Sequence, residues 1–116
     1  MTFQDERTSA SDERIDRLSQ WLELTLGARL VAYAVGVSVA EIMRIASGDD
    51  EPTVAVEQRL RNLYQATWFV AASDGPGSAH DWLLEPNPRL ENRSAADLLR
   101  EGEAPKPVWF TLSPAF

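Results

Sequence analysis

Apolar residues recur at helical spacing along much of this chain, and each run is cut short by a glycine or a proline. Ile15, Leu18, Leu22 and Leu26 fall three and four residues apart, which is one stripe on one helix face, and Gly27 follows directly. Val56, Leu60, Leu63, Thr67 and Val70 repeat the pattern until Ser73-Asp74-Gly75-Pro76-Gly77 breaks it. Trp21 widens the first stripe, and Tyr64 and Trp68 broaden the second. The periodicity predicts an all-α fold with no room for a long uninterrupted helical array.

Boundaries follow from capping chemistry. The spacing predicts a first helix from about Ser11 to Leu26, a second over Arg29–Val35 ending at Gly36, and a third over Ser38–Ser47. Ser38-Val39-Ala40-Glu41 has the form of a capping box, in which a hydroxyl takes an orphan amide and a carboxylate reaches back. Asp49-Asp50-Glu51-Pro52 leads into the longest helix, about Thr53 to Ala72, because acids and proline both suit a helix start. Ser78-Ala79-His80-Asp81 predicts a short helix through Trp82, Leu83 and Leu84. Ser94-Ala95-Ala96-Asp97 predicts another through Leu98 and Leu99, stopping at Gly102. Five of the seven prolines lie beyond Gly77, so the last third reads as short helices and turns.

A chain of 116 residues holds one domain, or two small subdomains sharing a core. The pattern divides it into a polar, disordered start (1–10), a helix-turn-helix half (11–72) and a small C-terminal half with an aromatic, proline-rich tail (73–116). Eighteen acidic against 11 basic residues give a net charge of −7, a poor basis for a protein whose affinity rests on phosphate backbones. There is no cysteine, which removes disulfides, thiolate metal sites and thiol catalysis. A single histidine, His80, leaves no Ser-His-Asp arrangement and no His-rich metal set; at a helix start it reads as a surface or cap residue. No base–nucleophile pair or phosphate loop stands at a meaningful spacing, so the reading is a non-enzyme with no cofactor and no small-molecule substrate. The start lacks the basic and apolar regions of a signal peptide, and the uncharged stretches are too short to span a membrane, so the expectation is a cytoplasmic protein.

Arg29 to Ile45 has the pattern of a helix-turn-helix. A small residue at the helix contact (Ala32), a glycine at the turn (Gly36) and apolar Val31, Val35, Val37, Ile42 and Ile45 are what two steeply crossing helices need. The outward positions of the second helix are Ser38, Val39, Ala40, Met43, Arg44 and Ser47. Of the candidate DNA contacts Ser38, Val39, Met43 and Arg44, only Arg44 is a strong base reader. Residues 28–72 hold four basic and five acidic side chains, so no basic stripe hides under the acidic total. Two readings stand: a scaffold whose apolar helix face meets protein, or a weak operator-binding surface.

Trp82-Leu83, Glu85-Pro86-Asn87-Pro88-Arg89-Leu90, Arg93-Ser94, Asp97-Leu98-Leu99 and Gly102 together resemble the toxin-binding domain of MbcA/ParS/Xre-type antitoxins. In that family an Xre-like helix-turn-helix precedes this module, so the resemblance covers roughly residues 15 to 102. It implies an antitoxin that binds and inhibits a RES-domain toxin, an NAD-depleting enzyme, and that often represses its own operon. Ala95 stands where the family usually has proline, and Glu103-Ala104-Pro105-Lys106-Pro107 stands where it usually continues into a further helix. The competing reading is a stand-alone DNA-binding regulator that uses the C-terminal module for dimerisation or partner sensing.

The candidate partner-binding residues are Trp82, Arg89, Leu90, Arg93, Asp97, Trp109, Phe110 and Phe116. Arginines and aromatics are the usual interface anchors, and Val108, Trp109, Phe110, Leu112 and Phe116 are too apolar for an idle tail. That tail packs on its own domain, on a second copy or on another protein. Trp82 also suits a core position, and Asp97 suits the cap of Ser94. The apolar excess in the 53–72 helix and the tail predicts a homodimer or higher oligomer.

Overall fold

The computed structural model describes residues 14–110, without the side chain of Arg89. The expected N-terminal segment 1–10, the helix start at Ser11 and the candidate residue Phe116 lie outside the described residues. Six α-helices follow one another: α1 (Ile15–Leu26), α2 (Ala28–Val35), α3 (Val39–Ala46), α4 (Val54–Asp74), α5 (Pro76–Leu84) and α6 (Ala95–Arg100). Short 3-10 turns occupy Pro88–Leu90 and Pro107–Phe110. The class is all-α, and no described helix is long and apolar enough to cross a membrane.

The long helix α4 is the spine, touching α1, α2, α5 and α6, while α3 packs on α1 and α2. Its buried side chains include Val56, Leu60, Leu63, Thr67 and Val70, the expected stripe. On α1 the buried stripe is Leu18, Leu22 and Leu26, with Ile15 and Trp21 packed at its edge. Trp21 meets Tyr64 of α4 edge to face at 5.3 Å, an arrangement that opposes the negative ring face to a positive edge.

Between α2 and α3, Gly36 takes φ 84, a left-handed conformation that glycine reaches without a Cβ penalty. Its N–H and that of Val37 both close on the Ala32 carbonyl, at 2.8 and 3.1 Å. Val31, Ala32, Val35, Ile42 and Ile45 are buried in the angle so formed, with Val37 at its edge. Ser38 Oγ accepts the Glu41 N–H at 3.1 Å and opens α3. At the other end of α3 the Gln20 side chain donates to the Ala46 carbonyl at 2.8 Å, so α1 caps a group that α3 cannot satisfy itself.

Three expectations need correction. The break expected over residues 73–77 narrows to a single residue. Gly75 alone separates α4 from α5, and α5 starts at Pro76 rather than at a Ser78 box. Proline lacks the N–H that a first helical turn leaves unused, so Pro76 nucleates the helix and Ser78 falls inside its first turn. Trp68 does not broaden the buried face of α4. It lies one residue past buried Thr67, turned by about 100° on the helix, and is 54% exposed.

Trp109 is the third correction. Named as a candidate partner anchor, with packing on its own domain as the alternative, it is 1% exposed and belongs to the same core cluster as Leu18, Leu63, Leu83 and Leu99. The Pro105–Pro107 segment does not continue as a helix; it delivers a single 3-10 turn whose Trp109 N–H closes on the Lys106 carbonyl at 2.9 Å. One core therefore runs from α1 to residue 109, and the C-terminal segment is part of it. Replacing Trp109→Ala should cost about 3–5 kcal/mol, the range for emptying a buried aromatic site, whereas Trp68→Ala should change stability by less than about 0.5 kcal/mol. Urea unfolding followed by far-UV circular dichroism checks both, and a Trp109→Ala protein as stable as the parent would remove Trp109 from the core.

Candidate functional site

The break at Gly75 turns α5 back along the last turns of α4, and a groove of about 630 Å3 opens beside the pair. Its α4 side carries Phe69, Val70, Ser73 and Asp74, and its α5 side carries Trp82 and Glu85. Pro86, Asn87, Pro88, Leu90 and Ala95 form the far wall, and Phe110 lies between Phe69 and Trp82. The volume falls inside the range of about 300–1,000 Å3 usual for binding clefts. Three rings make one continuous apolar surface: Phe110 stacks on Trp82 at 5.2 Å, with planes 15° apart, and tilts against Phe69 at 4.5 Å. Phe69 remains 49% exposed despite these contacts.

The far wall owes its shape to Asn87. Its carbonyl accepts the N–H groups of Leu90 and Asn92, each at 2.8 Å, and its own N–H donates to the Arg93 carbonyl at 3.1 Å. Asn87 and Arg93 thus form an isolated antiparallel bridge around the Pro88–Leu90 turn. Closing so small a ring forces Glu91 and Asn92 to φ 62 and 65. Asparagine enters that left-handed region readily, while glutamate does so at a cost. The closed turn presses Leu90 into the core at 9% exposure.

The sequence-derived candidates divide sharply. Trp82 and Phe110 meet in the groove, and Leu90 underlies its wall. Trp109 is core. The side chain of Arg89 and all of Phe116 lie outside the described residues. Arg93 pairs with Glu101 across α6. Asp97 completes the capping box at Ser94: its N–H donates to Ser94 Oγ at 3.1 Å, and its carboxylate accepts the Ser94 N–H at 3.3 Å. Its other oxygen accepts the Tyr33 hydroxyl of α2. Arg100 lies over the Tyr33 ring at 4.7 Å and donates to the Tyr33 carbonyl at 2.7 Å. Arg93 and Asp97 therefore hold the module to itself and to α2, and their polar groups are engaged within the chain.

On α3 the outward side chains are those expected, with Met43 at 56% and Val39 at 37% exposure. Arg44 is tied by its Nε to Asp50 Oδ2 at 2.8 Å, and Ser47 Oγ donates to Asp49 Oδ2 at 3.0 Å. Asp50, one of the acids that follow α3, thus folds back on its only cation. Asp50 holds the Arg44 guanidinium more firmly protonated than usual. Among the described residues no group of three His, Asp or Glu side chains is placed to hold a metal ion.

Comparisons with protein-family models, with curated proteins and with solved structures find no match to this chain. The site rests on its geometry alone.

Sequence reasoning passed over two residues. Phe69 lies one position before Val70 and off the α4 stripe; its signal was a second aromatic beside Trp68 with no place on the buried face. Tyr33 left no signal, because its partner Asp97 is 64 residues away.

The Tyr33 hydrogen bond is the first cause that lowers the Asp97 carboxyl below its ordinary value, and the same bond raises the Tyr33 phenol above its own. A depressed carboxyl stabilises the fold above its unfolded value, near pH 4, and that contribution fades as pH falls through the folded value. For the raised phenol the contribution is complete below about pH 10 and is lost on the alkaline side. Tyr33→Phe should cost about 1 kcal/mol at neutral pH, the lower part of the range because Tyr33 is 44% exposed, and should flatten the acid limb of stability against pH. Urea midpoints taken between about pH 3 and pH 7 test this; a variant that keeps the parent's full acid sensitivity would show that the bond contributes nothing.

Proposed function

We propose that this chain is a protein-binding module of the antitoxin type, which seats part of a RES-domain toxin against the groove between α4 and α5 and so blocks NAD depletion. One observation carries the protein-binding reading. Phe69, Trp82 and Phe110 form a connected aromatic surface in which Phe69 is 49% exposed and the other two rings are partly buried. Large apolar surface left in a concave, rigidly built site is the usual mark of an interface, and aromatic anchors carry most of the affinity there. The identity of the partner comes from the resemblance of residues 82–102. Within that string, Pro86, Asn87, Pro88 and Leu90 line the groove's far wall.

Operator binding receives less support from the same structure. Arg44, the one strong base reader on the outward face of α3, is paired to Asp50, and Val39 and Met43 beside it are apolar. That face suits protein contact better than phosphates.

Co-expression with a RES-domain toxin encoded beside this chain tests the proposal. The pair should co-purify, and cellular NAD should be preserved. Phe69→Ala should weaken the complex by about 2 kcal/mol or more, roughly thirtyfold, while leaving the circular dichroism intact. A toxin that stays fully active in the presence of excess protein would sink the antitoxin assignment. A doubled solution mass that returns to the monomer value in Phe69→Ala would make a second copy the occupant instead.

A mobility-shift assay on the chain's own promoter DNA at about 0.15 M salt should show only weak, sequence-indifferent retardation. A tight, sequence-specific complex abolished by Arg44→Ala would instead make α3 a recognition helix.

A further inference from the structure

We infer that the groove selects a basic partner segment, one with an aliphatic or aromatic anchor flanked by arginine or lysine; this deepens, and rests on, the protein-binding reading above. Two helices form the groove, α4 and α5. Helix α4 ends at Asp74 and α5 ends at Leu84 with Glu85 as its cap, and both Asp74 and Glu85 line the groove. A helix C-terminus carries a partial negative charge from its unsatisfied carbonyls, which cations relieve and acids aggravate. Neither helix has a basic residue in its last turn. Each instead places a carboxylate there, and neither carboxylate has an ion-pair partner among the described residues.

The local sequence sharpens this asymmetry. Between Arg61 and Arg89 there is no lysine or arginine, while Asp74, Asp81 and Glu85 all fall in that interval. Asp81, one residue before Trp82, is 85% exposed at its side chain and has His80 Nδ1 at 3.3 Å. The groove thus joins an apolar aromatic surface to Asp74 and Glu85, two carboxylates with no ion-pair partner among the described residues. An acidic or neutral apolar segment would find the aromatic surface but meet repulsion or indifference at the rim. A basic one finds both, and arginine adds the option of lying flat on an aromatic face.

The ring geometry decides between a peptide segment and a small organic cation. Phe69, Phe110 and Trp82 are in mutual contact in a row, Phe69 to Phe110 to Trp82, at 4.5 and 5.2 Å between centroids. Cages for quaternary ammonium groups need rings standing apart around a central gap. Rings stacked in a row make a wall, which suits side chains laid along it from an extended or helical segment.

The test uses the full chain and a fluorescently labelled, blocked peptide with a leucine–phenylalanine centre flanked by arginines. The same peptide with glutamate in place of arginine is the control. Anisotropy titrations should show the arginine peptide binding at least about tenfold more tightly at about 0.05 M salt, with the gap closing towards about 0.5 M. The double variant Asp74→Asn/Glu85→Gln should lose about that tenfold for the arginine peptide only, with an unchanged helical signal. Phe69→Ala should weaken both peptides. Equal binding of the two peptides, or a double variant that behaves as the parent, overturns the inference, as does displacement of the peptide by tetramethylammonium. The toxin complex separates the two levels. If Phe69→Ala breaks it and Asp74→Asn/Glu85→Gln does not, the protein-binding reading stands and the charge selectivity falls. If Phe69→Ala leaves it intact, the groove is not the interface and both fall.

Discussion

Everything near the groove depends on a one-residue interruption. Gly75 ends α4 at φ 95, with its N–H still bonded to the Ala71 carbonyl at 2.9 Å, and Pro76 begins α5 at once. Had α4 continued, the ring of Pro76 would have met the carbonyl four residues earlier, and one ladder hydrogen bond would have had no donor. The chain turns sharply instead. Helix α5 then packs against the helix it came from, the most extensive helix pairing among the described residues. So abrupt a reversal leaves Phe69 and Trp82 on the same side, with Asp74 and Glu85 lining the same groove. The aromatic surface and its acidic rim are two results of one backbone constraint.

The C-terminal module is fastened by three unlike devices, and their division of labour explains which residues remain free for a partner. Trp109 anchors the tail by burial alone. The ring of Tyr33, clasped between Asp97 and Arg100, joins α2 to α6 through polar and cation–π contacts at a half-exposed site. The Asn87–Arg93 bridge shapes the turn with backbone bonds only. Most charged residues of the Glu85–Gly102 stretch with described partners are spent on these internal ties, as Arg93 and Asp97 show. The aromatic side chains are the ones left partly uncovered, so affinity for a partner rests on them and charge acts as a filter.

How far the sequence disclosed this depended on the range of each interaction. The stripes of α1 and α4, the left-handed turn at Gly36 and the capping box at Ser94 are set by residues within one or two turns of one another, and periodicity and capping rules read them directly. The same local logic erred at Ser78, where it saw a hydroxyl box and overlooked that a proline two residues earlier starts a helix just as well. It also placed Trp68 inside, since an aromatic beside a stripe looks like a widening of it until the helix rotation is fixed. Within the site, Trp82 and Phe110 were legible as candidate anchors, Trp82 with a core position as its alternative. Their juxtaposition with Phe69, the burial of Trp109 and the clasp on Tyr33 come from contacts across tens of residues, for which a single sequence carries no periodic trace.

The strained pair Glu91–Asn92 has a consequence for the rigidity of the groove wall. A glycine at position 91 would relieve a backbone penalty of about 1 kcal/mol or more in the folded turn. It would also give the unfolded chain more freedom to lose, a cost of about 0.4–1 kcal/mol in the other direction. The two nearly cancel, so glutamate is retained there at little net loss of stability. The outcome is kinetic and geometric: a residue with a Cβ has few alternative basins, and a loop built from such residues holds one shape where a glycine loop would explore several. Preorganisation on that side of the groove is thus drawn from strain inside the turn, and a ligand meeting Pro86 and Pro88 encounters a wall whose ordering entropy was settled during folding.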